Sequence, residues 1–404
     1  MNLGGRFRER KREQQQPKQR VPCPPFPQTE PRISMDTGYS FELLVQAYFS
    51  CRRLKRNTAS ALRFEQDLER NLLDLHDDLV TGAYSPGRSI CFVITRPKPR
   101  EVWAADFRDR IVHHLLYNQI SDRFYRRFIA DSSACIPGRG TLYAAQRLET
   151  KIRSQTQNWN RPGFYLKCDL ANFFVSIDKR VVWPMLARHI PERWWRMLAK
   201  LILFHDPRND VEIRGEQALL QLVPPHKRLM TAPRHHGLPI GNLSSQFFAN
   251  VLLDGLDQHV KHRIRCKHYV RYVDDFILLH DSPQWLNDAL ASINEYLPTL
   301  GLQLNPTKTI LQPIARGVDF AGHVIKPWRR QVRRRSVRTA LHRIETVPAG
   351  KSLGTINSYL GLMRHTNGYR DRATVSAAAR KRGHAIAWDA AKAYRKSGAP
   401  NGPQ

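Results

Sequence analysis

The chain has 404 residues, 41% of them hydrophobic, and its 65 Lys and Arg outweigh 35 Asp and Glu to give a net charge of +30. That length supports a sizeable core and two to three domains, and no run approaches the roughly 18 consecutive apolar residues that a membrane span requires. So large a positive excess points to a polyanionic partner, most simply nucleic acid, while six scattered cysteines without a C-x-x-C pair argue against zinc and a disulfide framework and fit a reducing cytoplasm.

Residues 1–35 combine basic, Gln-rich and Pro-rich stretches with little that forms a core, and no apolar segment of a secretory signal. A flexible basic leader is predicted there. Apolar residues then recur at helical spacing, first Leu43, Leu44, Ala47 and Tyr48, then Leu68, Leu72, Leu75 and Leu79. Ile90 to Ile94 reads as a strand ahead of the basic Arg96, Lys98 and Arg100. A helix is predicted from Arg110 to Ile129, broken by the Gly-containing run Ile136 to Gly140. Phe164 to Cys168 is a short apolar strand, entered through Pro162-Gly163 and ended by Asp169. Residues 205–236 are of mixed polarity and read as an insertion without a disclosed role. After the Gly241-Asn242 break, Leu243, Phe247, Val251 and Leu256 share a helical face. A second helix begins at Ser282-Pro283 and stops at Gly301, its stripe of Trp285, Ala289, Ile293 and Leu297 being ordinary core. The chain turns strongly basic from Lys326 to Arg343, then helical from Ile356 to Met363, and residues 398–404 are predicted to be a disordered tail.

Between the two helices near the middle lies the most informative stretch. Tyr272-Val273-Asp274-Asp275 sits between His268–Arg271 and Phe276–His280, which reads as a β-hairpin with adjacent carboxylates at its tip. Alone, an Asp-Asp pair is most often a solvated turn, and Asp169 alone reads equally as a helix N-cap. Together they change the reading. Three oxygen-only side chains at the ends of buried strands suit Mg²⁺, and a pair of metals about 4 Å apart would clamp the attacking and leaving oxygens of a phosphoryl transfer.

These residues resemble the palm of a reverse transcriptase: Asp169 with the aromatic Phe174 five positions on, then Tyr-Val-Asp-Asp. Further blocks follow in matching order. Arg96–Arg100 and Ala105–Val112 resemble the fingers segment, Gly237–Gln246 the template-facing loop and helix, and Gly301–Thr309 and Val318–His323 the last palm motifs. The resemblance runs from about Phe92 to about Arg370. It implies an α+β right-hand polymerase fold with fingers, an antiparallel palm sheet with helices, and a helical thumb. The implied domains are 36–160 for N-terminal helices and fingers, 161–325 for the palm, and 326–397 for a basic thumb.

The resemblance also assigns roles. Asp169, Asp274 and Asp275, with the backbone carbonyl of Leu170, would hold two Mg²⁺ ions, Mn²⁺ being a possible substitute. Lys98 and Arg100 would take the dNTP triphosphate, with Arg96 as an alternative to Lys98; Phe174 would exclude a 2′-hydroxyl, and Lys308 would protonate pyrophosphate. Most relatives carry Gln-Gly and Ser-Pro where this chain has Ile240-Gly241 and Ser245-Gln246. The Ile-Gly and Ser-Gln pair resembles the enzymes of diversity-generating retroelements, as does Tyr359–Tyr369. That subfamily implies error-prone copying of a template RNA into cDNA, with errors at template adenines, and a small basic accessory protein. Retron-like or defence-associated enzymes, and a polymerase-like RNA binder with little synthesis, are the alternatives.

Overall fold

The computed structural model describes residues 38–53 and 57–395, so the leader and tail expectations lie outside the described residues. α1 (Phe41–Arg52) starts where the Ser40 side chain accepts from the Leu43 backbone N–H, and it buries Leu44, Ala47, Tyr48 and Cys51 along one face. α2 (Ala59–Glu65) and α3 (Leu68–Thr81) follow, α3 closing on a left-handed Gly82. β1 (Ser89–Ile94) and β2 (Arg100–Ala104) pair antiparallel. α4 (Phe107–Tyr125) begins and ends earlier than the predicted 110–129, because the Asp106 carboxylate caps it by accepting from Arg108 N–H. β3 (Ser132–Ser133), α5 (Thr141–Gln155) and β4 (Phe164–Asp169) come next.

Beyond β4 the chain forms α6 (Phe173–Ser176), α7 (Lys179–Ala187), α8 (Arg193–Phe204), β5 (Val211–Ile213) and α9 (Gln217–Gln221). α10 (Leu243–Gln258) is buried around most of its circumference and runs on into a π-helical turn, His259–Arg263. β6 (His268–Tyr272) and β7 (Asp275–His280) are the predicted hairpin. α11 (Pro283–Tyr296) has the Ser282 cap, accepting from Trp285 N–H, but its last turn tightens into the 3₁₀ segment Leu297–Leu300 before Gly301. β8 (Ile310–Pro313), β9 (Val318–Phe320), β10 (His323–Lys326) and β11 (Arg329–Val332) lead to α12 (Arg334–Thr346), α13 (Ala349–Arg364) and α14 (Tyr369–Lys381). A small hairpin, β12 (His384–Ile386) with β13 (Ala393–Arg395), packs beside those helices. Among the described residues no helix is long and apolar enough to cross a membrane.

The central sheet has the order β3-β6-β7-β4-β8 and is antiparallel except that the two-residue β3 runs parallel to β6. Alternation along its strands feeds two cores. Leu166, Cys168, Tyr269, Phe276 and Leu278 join the main core with α4, α7, α8, α10 and α11. Tyr165, Val270, Ile277 and Leu279 turn the other way, onto Ala144, Leu148 and Ile152 of α5. Burial on both faces explains why these strands read as nearly continuous apolar runs. A separate core of Ile344, Ile356, Leu360, Met363, Val375 and Ala379 unites α12, α13 and α14.

Residues 205–236 have a structural role that their sequence did not disclose. β5 adds to the hairpin in parallel, giving the order β2-β1-β5. Leu229 and Ala232 form a small core with Cys91 and Trp103. The buried Glu101 carboxylate accepts from both Trp103 Nε1 at 3.1 Å and the Leu229 backbone N–H at 2.8 Å.

One ion pair lies in the deepest part of the molecule. The Arg271 guanidinium donates to both oxygens of Asp257 at 2.8 and 2.7 Å, and neither side chain has any solvent exposure. Arg271 also donates to Ser132 Oγ and Asn250 Oδ1, while Tyr269 Oη donates to Asp257 Oδ1 at 2.8 Å. Removing one partner leaves an uncompensated buried charge, so Asp257→Ala should cost about 3–5 kcal/mol in a chemical denaturation experiment. The Asp257→Ala, Arg271→Met double variant should recover a large part of that loss. A single variant within experimental error of wild type would contradict the reading.

Candidate active site

The carboxylates meet because of register. β4 pairs with β7 so that Asp169 stands directly across from Asp275. Val273 and Asp274 form the tight connection between β6 and β7. Val273 has φ +54°, a left-handed conformation that a β-branched residue adopts only under strain. Its surroundings hold it there. The Val273 carbonyl accepts from Arg271 Nη1 at 3.0 Å, the Val273 N–H donates to the Ser133 carbonyl at 3.5 Å, and the Leu170 N–H donates to the Asp274 carbonyl at 3.3 Å.

Two lysines answer part of the negative charge. Lys308 Nζ lies 2.5 Å from Asp169 Oδ1, and Lys167 Nζ lies 3.5 Å from Asp275 Oδ2. Among the described residues Asp274 has no such partner. Burial and then the neighbouring charge of Asp169 push its carboxyl up to about 6, with Asp275 adding to the rise. Asp275 is also raised, first by burial, against the opposing pull of Lys167.

This donor set fits a hard divalent cation. All its atoms are oxygens, and a cation beside Asp274 would relieve the repulsion that raises it. Among the described residues no group of three or more His, Cys, Asp or Glu side chains is placed to hold a metal ion by itself. A site that completes its shell with water and substrate phosphate, using one or two carboxylates, is the usual habit of Mg²⁺. Leu170 sits at an isolated bridge to Leu304, where Ala171 N–H donates to Gln303 and Asn305 N–H donates to the Asp169 carbonyl at 2.8 Å. The ladder thus uses the carbonyl of Asp169 rather than that of Leu170. The same bond brings the Asn305–Lys308 segment to Asp169.

Of the remaining predicted residues, Phe174 and Ile240 are anchored through backbone hydrogen bonds. Half-buried Phe174 packs its ring 5.2 Å from that of Phe173, and its carbonyl accepts from Leu238 N–H at 2.8 Å. Two residues after Leu238, the half-buried Ile240 offers its carbonyl to Trp103 N–H at 2.7 Å. Gly241 has φ +129°, and a Cβ there would fall 2.8 Å from the Trp103 carbonyl oxygen, so only glycine fits. Gln246 accepts from Cys135 Sγ at 3.1 Å, away from the carboxylates. Arg96, Lys98 and Arg100 are exposed at the tip of the β1–β2 hairpin, with no ion pair among the described residues. They do not touch the carboxylate cluster.

Sequence reasoning missed Lys167 and the Arg271–Asp257 pair. Lys167 was findable: two residues before Asp169 on a strand, it must share that carboxylate's face. Asp257 carried no signal, because its partner arrives from a different element.

A folded-state value above the ordinary 3.8 means that protonated Asp274 favours the fold. Its stabilising contribution is therefore present near pH 4 and lost as pH rises through about 6. In a metal chelator, Asp274→Asn should be more stable than wild type at pH 7, by about 1 kcal/mol after allowing for partial exposure, and equal to it near pH 4. Adding Mg²⁺ at pH 7 should raise the melting temperature of wild type alone. Coincident wild-type and variant curves across pH would refute the crowding of carboxylates.

A family model described as "Reverse transcriptase (RNA-dependent DNA polymerase)" matches residues 96–325. No curated protein matches the chain. Among solved structures, telomerase from Candida albicans in complex with a TWJ fragment of telomeric RNA is similar at 13% identity and a TM-score of 0.45, over 73% of this chain and 55% of that one. Apo telomerase from Candida tropicalis, truncated from the C-terminal domain, is similar at 12% identity and a TM-score of 0.43, over 63% of this chain and 58% of that one. The chain thus spans little more than half the length of either telomerase chain.

Proposed function

The chain belongs to the reverse transcriptase (RNA-dependent DNA polymerase) family, whose model matches well over half of it, and from that premise we propose that it is an RNA-directed DNA polymerase. The observation that carries the activity is the register of Asp169 against Asp275, with Asp274 raised beside them. A site lacking synthesis has no need to crowd three carboxylates in a chain of net charge +30. Bound divalent cations would supply charge neutralisation on the phosphates and stabilise the attacking and leaving oxygens. The chain's own residues do the positioning. Arg96, Lys98 and Arg100 are free to take the triphosphate, Arg through its bidentate fork. Lys308, whose ammonium lies on Asp169, would stand beside the reacting phosphates as the proton donor to pyrophosphate. Phe174 lies where the sugar of the incoming nucleotide would pass in this reading.

Within the family we place the chain among enzymes that copy a retroelement template RNA into adenine-mutagenised cDNA. What supports this is the Ile240-Gly241 and Ser245-Gln246 pair, with Ile240 unable to donate or accept a hydrogen bond through its side chain. Template RNA, primer or cDNA, dNTPs and a small basic accessory protein are its partners in this reading, with Mg²⁺ as cofactor, Mn²⁺ as a substitute, and the cytoplasm as its place of action.

Two experiments test these levels separately. Asp169→Ala and Asp274→Ala should each abolish primer extension while RNA affinity, which rests on dispersed Lys and Arg, persists; wild-type extension by either would end the polymerase reading. Ile240→Gln should preserve the loop, because Trp103 N–H holds the backbone at Ile240 whatever the side chain. It should lower misincorporation opposite template adenine in deep-sequenced cDNA while synthesis continues. An unchanged adenine error rate would leave the polymerase but remove the mutagenic assignment.

A further inference from the structure

A cavity of about 860 Å³ contains none of the residues assigned to synthesis. It opens among the helices that cover the sheet, between the ends of α4 and α7, the second half of α10 with its π-helical turn, and α11. Its size lies within the range of roughly 300–1,000 Å³ typical of ligand sites.

Its charge is unbalanced. Arg127, Arg188 and Arg263 reach it from three different elements, all exposed, and no side-chain ion pair or hydrogen bond engages any of them among the described residues. His189 is held below its ordinary range, first by burial and then by the fields of Arg127 and Arg188. His259 is lowered in the same way, with Arg263 as the neighbouring charge. Two carboxylates, Asp254 and Glu295, line the cavity as well, so the three guanidinium groups outnumber the acids there. Asp254 is raised by burial and takes a hydrogen bond from Gln258 Nε2 at 3.0 Å.

The walls are aromatic. His259 stacks on Tyr296 with ring centroids 4.1 Å apart and planes within 5°. His189 meets Phe124 edge-on at 5.6 Å. Gly255 forms part of the floor, and its carbonyl accepts from Tyr296 Oη at 3.3 Å. Arginine forks suit phosphate oxygens, and flat ring surfaces suit nucleobases of any sequence.

We propose that this cavity is a second RNA site, gripping a single-stranded segment of RNA outside the template–primer channel. The arginines hold consecutive phosphates, and the aromatic wall receives a base. The site would anchor the RNA molecule while its templating portion moves through the channel. An acidic protein segment would meet the same arginines but gain little from the stacked rings.

The test uses the full chain carrying Asp169→Ala, so that its result does not depend on catalysis. Template–primer duplex is first bound to saturation, and a fluorescent single-stranded RNA is then titrated in. A second binding event is expected, weakened about tenfold or more by Arg127→Glu, Arg188→Glu and Arg263→Glu together. Primer extension on a minimal duplex by the same triple variant, with Asp169 intact, should match wild type, which checks the fold. Absence of a second event, or equal RNA affinity in the triple variant, overturns the proposal. A poly-glutamate peptide that displaces the RNA at equal concentration would overturn it too, in favour of an acidic protein partner.

Discussion

A single buried guanidinium organises the centre of this molecule. Arg271 bonds Asp257 and Asn250 on α10, Ser132 on β3 and the carbonyl of Val273 at the hairpin tip. Three pieces of chain, α10, β3 and the hairpin tip, are thereby fixed to one planar group. Taking two charges fully out of water is costly, and a well-packed apolar pair in their place is often no less stable. What the pair adds here is direction. The fork accepts only one arrangement of acceptors, and that arrangement holds a β-branched residue at positive φ. The strain at Val273 is sustained by the rigidity behind it, and the result is a fixed position for Asp274.

The site that this scaffold carries is electrostatically opposed to the rest of the chain. Three carboxylates converge in a protein with thirty excess positive charges. Lys167 and Lys308 answer two of them, and among the described residues no cationic side chain pairs with Asp274. In the proposed reading the lysines keep the cluster tolerable without a cation, and the shortfall at Asp274 would give a cation its reason to bind.

How much of this could be read from sequence depended on whether the physics was local. The β6–β7 hairpin was legible because two nearly continuous apolar runs flanked a two-residue connection. The Ser282 cap of α11 was legible because capping is a contact within one turn. Asp169 was legible only beside Asp274 and Asp275, since a lone aspartate after a strand has other uses. The 205–236 stretch resisted reading because β5 is three residues long and gains its meaning from β1, more than a hundred positions earlier. The bond from Trp103 to Ile240 is equally non-local, and nothing in either segment announces it.

That lacing bears on how nucleotides are selected. The β1–β2 hairpin is tied to the body through Trp103 to Ile240, Ala105 N–H to the Asn242 side chain, and Glu101 to Leu229. Gly241 is pressed against the Trp103 carbonyl with no room for a methyl group. A swinging flap would have to break all of these contacts at each addition cycle. The base of the hairpin is instead a fixed jaw, and only its tip, with Arg96 and Lys98, is without such ties to the body. In the polymerase proposed above, discrimination would then rest on the shape of a preset slot, and altering the slot's lining would change accuracy without altering a moving part.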